Sequence, residues 1–159
     1  MAKRQEDEKM IFCMIRKSWV KALPEEIIRQ QILSLMVEQL GFPASLIGVE
    51  KQVHHLPHLM TTDCQLFPKR RVDIVCFAKD LAPNGTLFPL LSVECKATKL
   101  TTKVLGQILG YNHYIRASYI AIANGEEIQT GWKNAKTQEW EFVNFLPPYK
   151  DLCATLCST

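Results

Sequence analysis

Residues 72–95 constrain this chain more than any other stretch. Val72-Asp-Ile-Val-Cys-Phe77 is β-branched and aromatic, and residues 87–95 form a second apolar run. Between them lies the turn cluster Asp80-Leu-Ala-Pro-Asn-Gly-Thr86, with Asn84-Gly85 as its sharpest signal, and the three parts together predict a hairpin. Asp73 is out of place there, because an acid in an apolar strand costs free energy unless it is paired or bound to a cation. Strand alternation sends Leu91, Val93 and Cys95 to one face and Ser92, Glu94 and Lys96 to the other. A carboxylate and an amine thus leave the strand end on the same side, and across the hairpin Asp73 can approach Glu94. Two carboxylates beside a lysine suit a hard divalent cation, Mg²⁺ above all.

The flanking segments supply the rest of an α/β domain. Pro24 opens a helix, Glu25 and Glu26 complement its positive end, and Ile28, Ile32, Leu35, Met36 and Leu40 recur at helical spacing. Gly41 and Pro43 end it. Residues 46–53 read as a strand and 54–71 as a loop rich in histidine, proline and basic residues. A helix follows over 101–117, with Gln107 and Tyr111 four apart on one side. Ser118-Tyr-Ile-Ala-Ile-Ala123 is a buried strand stopped by Asn124-Gly125, and 127–132 with 139–145 predict a last hairpin. Ile11-Phe-Cys-Met-Ile15 is too short a run to type. The order predicts a mixed β-sheet flanked by helices.

Composition narrows the class. A chain of 159 residues, 47% hydrophobic and 22% charged, suits one globular domain and excludes collagen-like, mucin-like and broadly disordered readings. No run approaches the ~18 apolar residues of a membrane span, and residues 1–9 lack a signal-peptide layout, so a cytoplasmic protein without a membrane partner is expected. A net charge of +3 permits a nucleic-acid partner without arguing for one. The six cysteines are scattered and read as reduced.

Other constellations are weaker. His54, His55 and His58 with Cys64 have zinc-ligand types, yet adjacent histidines seldom face one metal, and a solvated or DNA-facing loop is favoured. Lys69, Arg70, Arg71, Lys99 and Lys103 suit phosphate contacts and a solvated surface equally. Core packing is favoured over base stacking for Trp132 and Trp140. Ser92 and Cys95 have no identifiable histidine base for nucleophilic catalysis.

Four segments in order carry a resemblance: Arg71-Val-Asp-Ile-Val-Cys-Phe77, Leu91-Ser-Val-Glu-Cys-Lys-Ala97, Gln107-Ile-Leu-Gly-Tyr-Asn112 and Ala123-Asn-Gly125. With Pro24-Glu-Glu-Ile-Ile-Arg-Gln30 and Leu40-Gly-Phe-Pro43, they resemble the N-terminal nuclease domain of type I restriction enzyme R subunits. That family belongs to the PD-(D/E)xK nucleases, with a Gln-hydrophobic-x-x-Tyr element shared with RecB-like nucleases. The resemblance covers about residues 20–125, and Val72 stands where the motif's name has proline. It implies a restriction-endonuclease-like core over 21–145, with 1–20 as an N-terminal extension and 146–159 as a C-terminal tail. It further implies a Mg²⁺ site, with Mn²⁺ as substitute, held by Asp73, Glu94 and the backbone carbonyl of Cys95. Glu26, with Glu25 close behind, would complete the acidic cluster. Lys96 would orient the attacking water, while Gln107 and Tyr111 would brace the site or touch nucleic acid. The implied activity is hydrolysis of phosphodiester bonds, in DNA first and RNA as a variant. The implied partners are DNA and other restriction or repair subunits. No Gly-x-x-x-x-Gly-Lys-Ser/Thr element is present, so a nuclease domain without its ATP-driven motor is expected. The rival expectation is a non-catalytic nucleic-acid-binding or assembly module that retains the fold.

Overall fold

In the computed structural model, which describes residues 8–60 and 63–158, the predicted hairpin forms the second and third strands of a six-stranded sheet. Strands β3 (Ile47–Gln52), β4 (Arg71–Ala78), β5 (Phe88–Cys95), β6 (Tyr119–Ala123), β7 (Ile128–Lys133) and β8 (Trp140–Val143) lie in chain order across it. All neighbours are antiparallel except β5 and β6, which run parallel. That one parallel pair needs a crossover, and helix α2 (Thr102–Ile115) provides it. The β4–β5 turn places Asn84 and Gly85 at φ +69° and +65°, the left-handed region that this residue pair tolerates best.

The two sheet faces are covered by different helices. Ile74, Cys76, Leu91, Val93, Cys95 and Tyr119 pack in one core cluster with Ile28, Ile32 and Leu33 of helix α1 (Pro24–Ser34). Ile120 and Ile122 on the other face meet Ile108 of α2, while Val75 and Phe77 join its last residue, Ile115. Helix α1 does not run on regularly to Gly41. It widens into a π turn over Leu35–Gln39, in which Leu40 N–H reaches the Leu35 carbonyl, and Gly41 then turns the chain at φ +71°.

Two segments outside the central run enter the same core. Residues around the untyped apolar run form a separate hairpin, β1 (Met10–Cys13) and β2 (Ser18–Lys21), which buries Cys13 completely. Residues expected as a tail contain helix α3 (Tyr149–Cys157), whose Leu152 is buried. Tyr149 packs edge-on against Phe42, with ring centroids 5.5 Å apart. Among the described residues no helix is long and apolar enough to cross a membrane.

Candidate active site

The site forms where β4 and β5 part. Their main-chain ladder includes Ile74 opposite Val93, and one step further the Asp73 side chain takes over, its Oδ2 accepting from the Cys95 N–H at 2.7 Å. A carboxylate therefore occupies the place of a strand hydrogen bond. This answers why an acid is tolerated there: a backbone donor and a guanidinium compensate its burial. The guanidinium is that of Arg29 on α1, whose Nη2 donates to Asp73 Oδ1 at 2.8 Å.

Arg29 is the hub of the α1 side. Its side chain is only 5% exposed and pairs with Asp73, with Glu26 one turn earlier, and with Glu50 of β3 at 3.1 Å. Glu26, buried at the start of α1, also receives Arg16 from the β1–β2 turn and Gln30 at 2.8 Å. Glu50 supplies its carboxylate from a left-handed position, φ +51°, unusual for a non-glycine in a strand. The three carboxylates hold the Arg29 guanidinium further above its ordinary value, against the opposing effect of burial.

Glu94 and Lys96 lie on the α2 side of the same strand end. Their side chains meet at 3.0 Å, and Glu94 also pairs with Arg70. Arg70 in turn sits over the ring of Tyr111 of α2, its guanidinium carbon 3.6 Å from the ring centroid. Burial, and then the Asp73 charge, push the Glu94 carboxyl above its ordinary value, while Lys96 and Arg70 pull it back down. Arg70 and Glu94 line a narrow pocket with Tyr111, Ser92 and Ile108. A second, open cleft of about 740 Å³ lies on the α1 side, lined by Arg16, Glu25, Glu26, Arg29, Glu50 and Ala97 among others.

Asp73, Glu94 and Lys96 thus arrive at one end of the sheet, with Tyr111 joined to them through Arg70. Glu26 belongs to the same charge network, one arginine away from Asp73, whereas Glu25 is exposed. Cys95 offers only its backbone. Its thiol is fully buried in the core, and burial followed by the Asp73 charge pushes its ionisation far above the ordinary thiol range. Gln107 is exposed one turn before Tyr111, and no hydrogen bond of its side chain is seen among the described residues. Sequence reasoning gave no role to Arg16, Arg29 and Glu50, and left Arg70 equally between a phosphate contact and a solvated surface. The one available signal for Arg29 was its place four residues after Glu25 and three after Glu26, on a helix expected to face the site.

The other sequence candidates sit elsewhere. His58 Nε2 lies 2.6 Å from the Ile115 carbonyl and its ring packs against Phe77, so it serves the core. The side chain of Cys64 is outside the described residues. Among the described residues no three His, Cys, Asp or Glu side chains come together as a ready metal cage. Lys69, Lys99 and Lys103 are exposed, and Trp132 and Trp140 pack partly against the core.

No curated protein and no solved structure matches the chain significantly. A family model does, over residues 24–147, which carries the likeness past residue 125 and through β7 and β8. Its description is type I restriction enzyme R protein N terminus. With α1, the β4–β5 hairpin, α2 and the strand after it all inside that span, the chain belongs to the family of type I restriction enzyme R protein N-terminal domains.

Proposed function

We propose that this domain is a Mg²⁺-dependent nuclease that hydrolyses phosphodiester bonds in DNA. The observation that carries the reading is the Glu94–Lys96 pair, 3.0 Å apart beside Asp73 at the point where β4 and β5 separate. The donor set fits a hard cation: two carboxylates close enough for one charge to raise the other's pKa, which a divalent ion relieves. Asp73, Glu94 and the Cys95 carbonyl would hold the ion, with Glu26 as the nearest further acid. When bound, it supplies a lowered pKa for coordinated water and offsets charge on the phosphate. Lys96 holds its ammonium at the strand end, where it stabilises the negative charge that develops on the phosphoryl oxygens. Arg70 is the second cation on that side, seated over the Tyr111 ring. Membership of the family supports the nuclease reading; other restriction subunits would be its protein partners, in the cytoplasm.

One observation favours a second reading. Asp73 and Glu94 each already carry a guanidinium, from Arg29 and Arg70. A non-catalytic module that kept the fold would use those pairs as permanent structure. Incubation of the chain with plasmid and with single-stranded DNA, in Mg²⁺, Mn²⁺ or EDTA, separates the two. The nuclease cleaves in either metal and stops in EDTA, while the module binds without cleaving under all three conditions.

A further inference from the structure

The β1–β2 hairpin is unusual for what it leaves outside. Alternation puts Cys13, Ile11 and Val20 toward the core, and puts Met10, Phe12 and Trp19 on the opposite face. Phe12 and Trp19 are direct cross-strand partners, packed edge-to-face with centroids 5.5 Å apart, yet 47% and 66% exposed. Met10 and Leu23 are 44% and 61% exposed. Contiguous apolar exposure of this kind marks a surface with a partner.

Two observations say which partner. The patch is continuous with the candidate active site, because Met10, Trp19 and Leu23 line the same cleft as Glu25, Glu26, Arg29 and Ala97, the residue after Lys96. The patch is also set among cations: Lys9, Lys17 and Lys21 lie on or beside the hairpin, and among the described residues only Lys21 of these three is tied to an acid, Glu8, at 2.8 Å. Aromatic faces interleaved with lysines, leading into a phosphodiester site, fit a strand whose bases are unpaired.

We infer that the β1–β2 hairpin is a stacking platform for unpaired bases of the nucleic-acid strand entering the cleft, with Trp19 as its main face. Phe12 holds the Trp19 indole upright, and Lys9 and Lys17 attract the backbone. The inference rests on the nuclease reading and narrows its substrate to single-stranded segments or ends.

The test is fluorescence anisotropy of a labelled oligothymidylate and of a blunt duplex, titrated with the full chain in EDTA. Wild type should bind the single strand more tightly than the duplex. Trp19→Ala should weaken single-strand binding by roughly 5- to 150-fold, the range for one lost base stack, and leave duplex binding nearly unchanged. Trp19→Phe should restore most of it. Trp19 is two-thirds exposed, so an unchanged melting temperature will accompany these variants. If wild type binds the single strand and Trp19→Ala binds it equally well, the platform is wrong and the nuclease reading stands. If wild type binds neither nucleic acid, the nuclease reading fails and takes the platform with it. A concentration-dependent dimer that Trp19→Ala abolishes would assign the patch to a second copy and overturn the inference.

Discussion

Arg29 Nη2 donates to Asp73 Oδ1 at 2.8 Å, joining helix α1 to strand β4 across 44 positions of sequence. The same guanidinium holds Glu26 and Glu50, so one buried cation organises the acidic side of the site. A divalent ion on Asp73 would share that carboxylate with Arg29 or displace it. The ion pair therefore decides both how the fold tolerates its acids and how readily the site takes a metal.

Replacing Arg29 by methionine leaves those carboxylates without their shared partner. Breaking a buried ion pair from one side costs about 3–5 kcal/mol. At ~2–4 °C per kcal/mol for a domain of this size, the melting temperature should fall by roughly 6–20 °C. Asp73→Asn in the same background should recover part of the loss in thermal melts. An Arg29→Met chain as stable as wild type would show that the network contributes nothing.

Metal binding can be read without substrate. A cation that binds only the folded chain adds stability, about 2.7 kcal/mol at a hundredfold excess over its dissociation constant. Millimolar Mn²⁺ should raise the melting temperature of wild type by a few degrees and leave Asp73→Asn unmoved. An equal rise in both would place the ion elsewhere.

Glu94 ties stability to pH. Its folded pKa lies above the ordinary 4.5, through burial first and Asp73 second. As pH rises through the carboxylate range, the unfolded chain loses this proton first, so the folded state loses stability until the folded pKa is passed. Glu94→Gln has nothing to titrate there. Its melting temperature relative to wild type should therefore increase between about pH 4 and about pH 7. A relative decrease over that interval would make Glu94 a stabilising ion-pair acid.

Gly131 tests the sheet rather than the site. A Cβ there would lie 2.3 Å from the Phe142 ring, its cross-strand partner on β8. Gly131→Ala should cost about 1–3 kcal/mol by overpacking, seen as a lower denaturation midpoint. Gly131→Ala combined with Phe142→Leu should lose less than the single change.

Asp73, Glu94 and Lys96 were legible because each breaks a local pattern, an acid in an apolar strand or a charged pair at a strand end. Strand alternation put Glu94 and Lys96 on one face of β5, whereas Asp73 reaches Arg29 of α1 and the Cys95 N–H, which alternation does not give. The arginines were not legible in their roles, since nothing local at Arg16 or Arg29 announces a partner many residues away in β3 or β4. Gln107 was placed by its motif, and the structure leaves it exposed beside the site, without a hydrogen bond among the described residues. The N-terminal hairpin was hidden because its four-residue strands are too short to show a period, and its largest side chains face outward. Helix α3 was missed for a related reason: only Leu152 is deeply buried in its nine residues, with Tyr149, Cys153 and Leu156 at the margin of the core.

The central claim is that Lys96 acts at the transition state of phosphodiester hydrolysis, and plasmid cleavage by Lys96→Ala beside wild type tests it most directly. Loss of one positioned charge should lower the rate by roughly 10²-fold or more in Mg²⁺. DNA affinity should change little, because Lys96 is one cation among several near the site. Wild-type cleavage that EDTA abolishes, with Lys96→Ala nearly inert yet folded and still binding, is the predicted result. Equal cleavage by wild type and Lys96→Ala, or none by wild type in either metal, would contradict it.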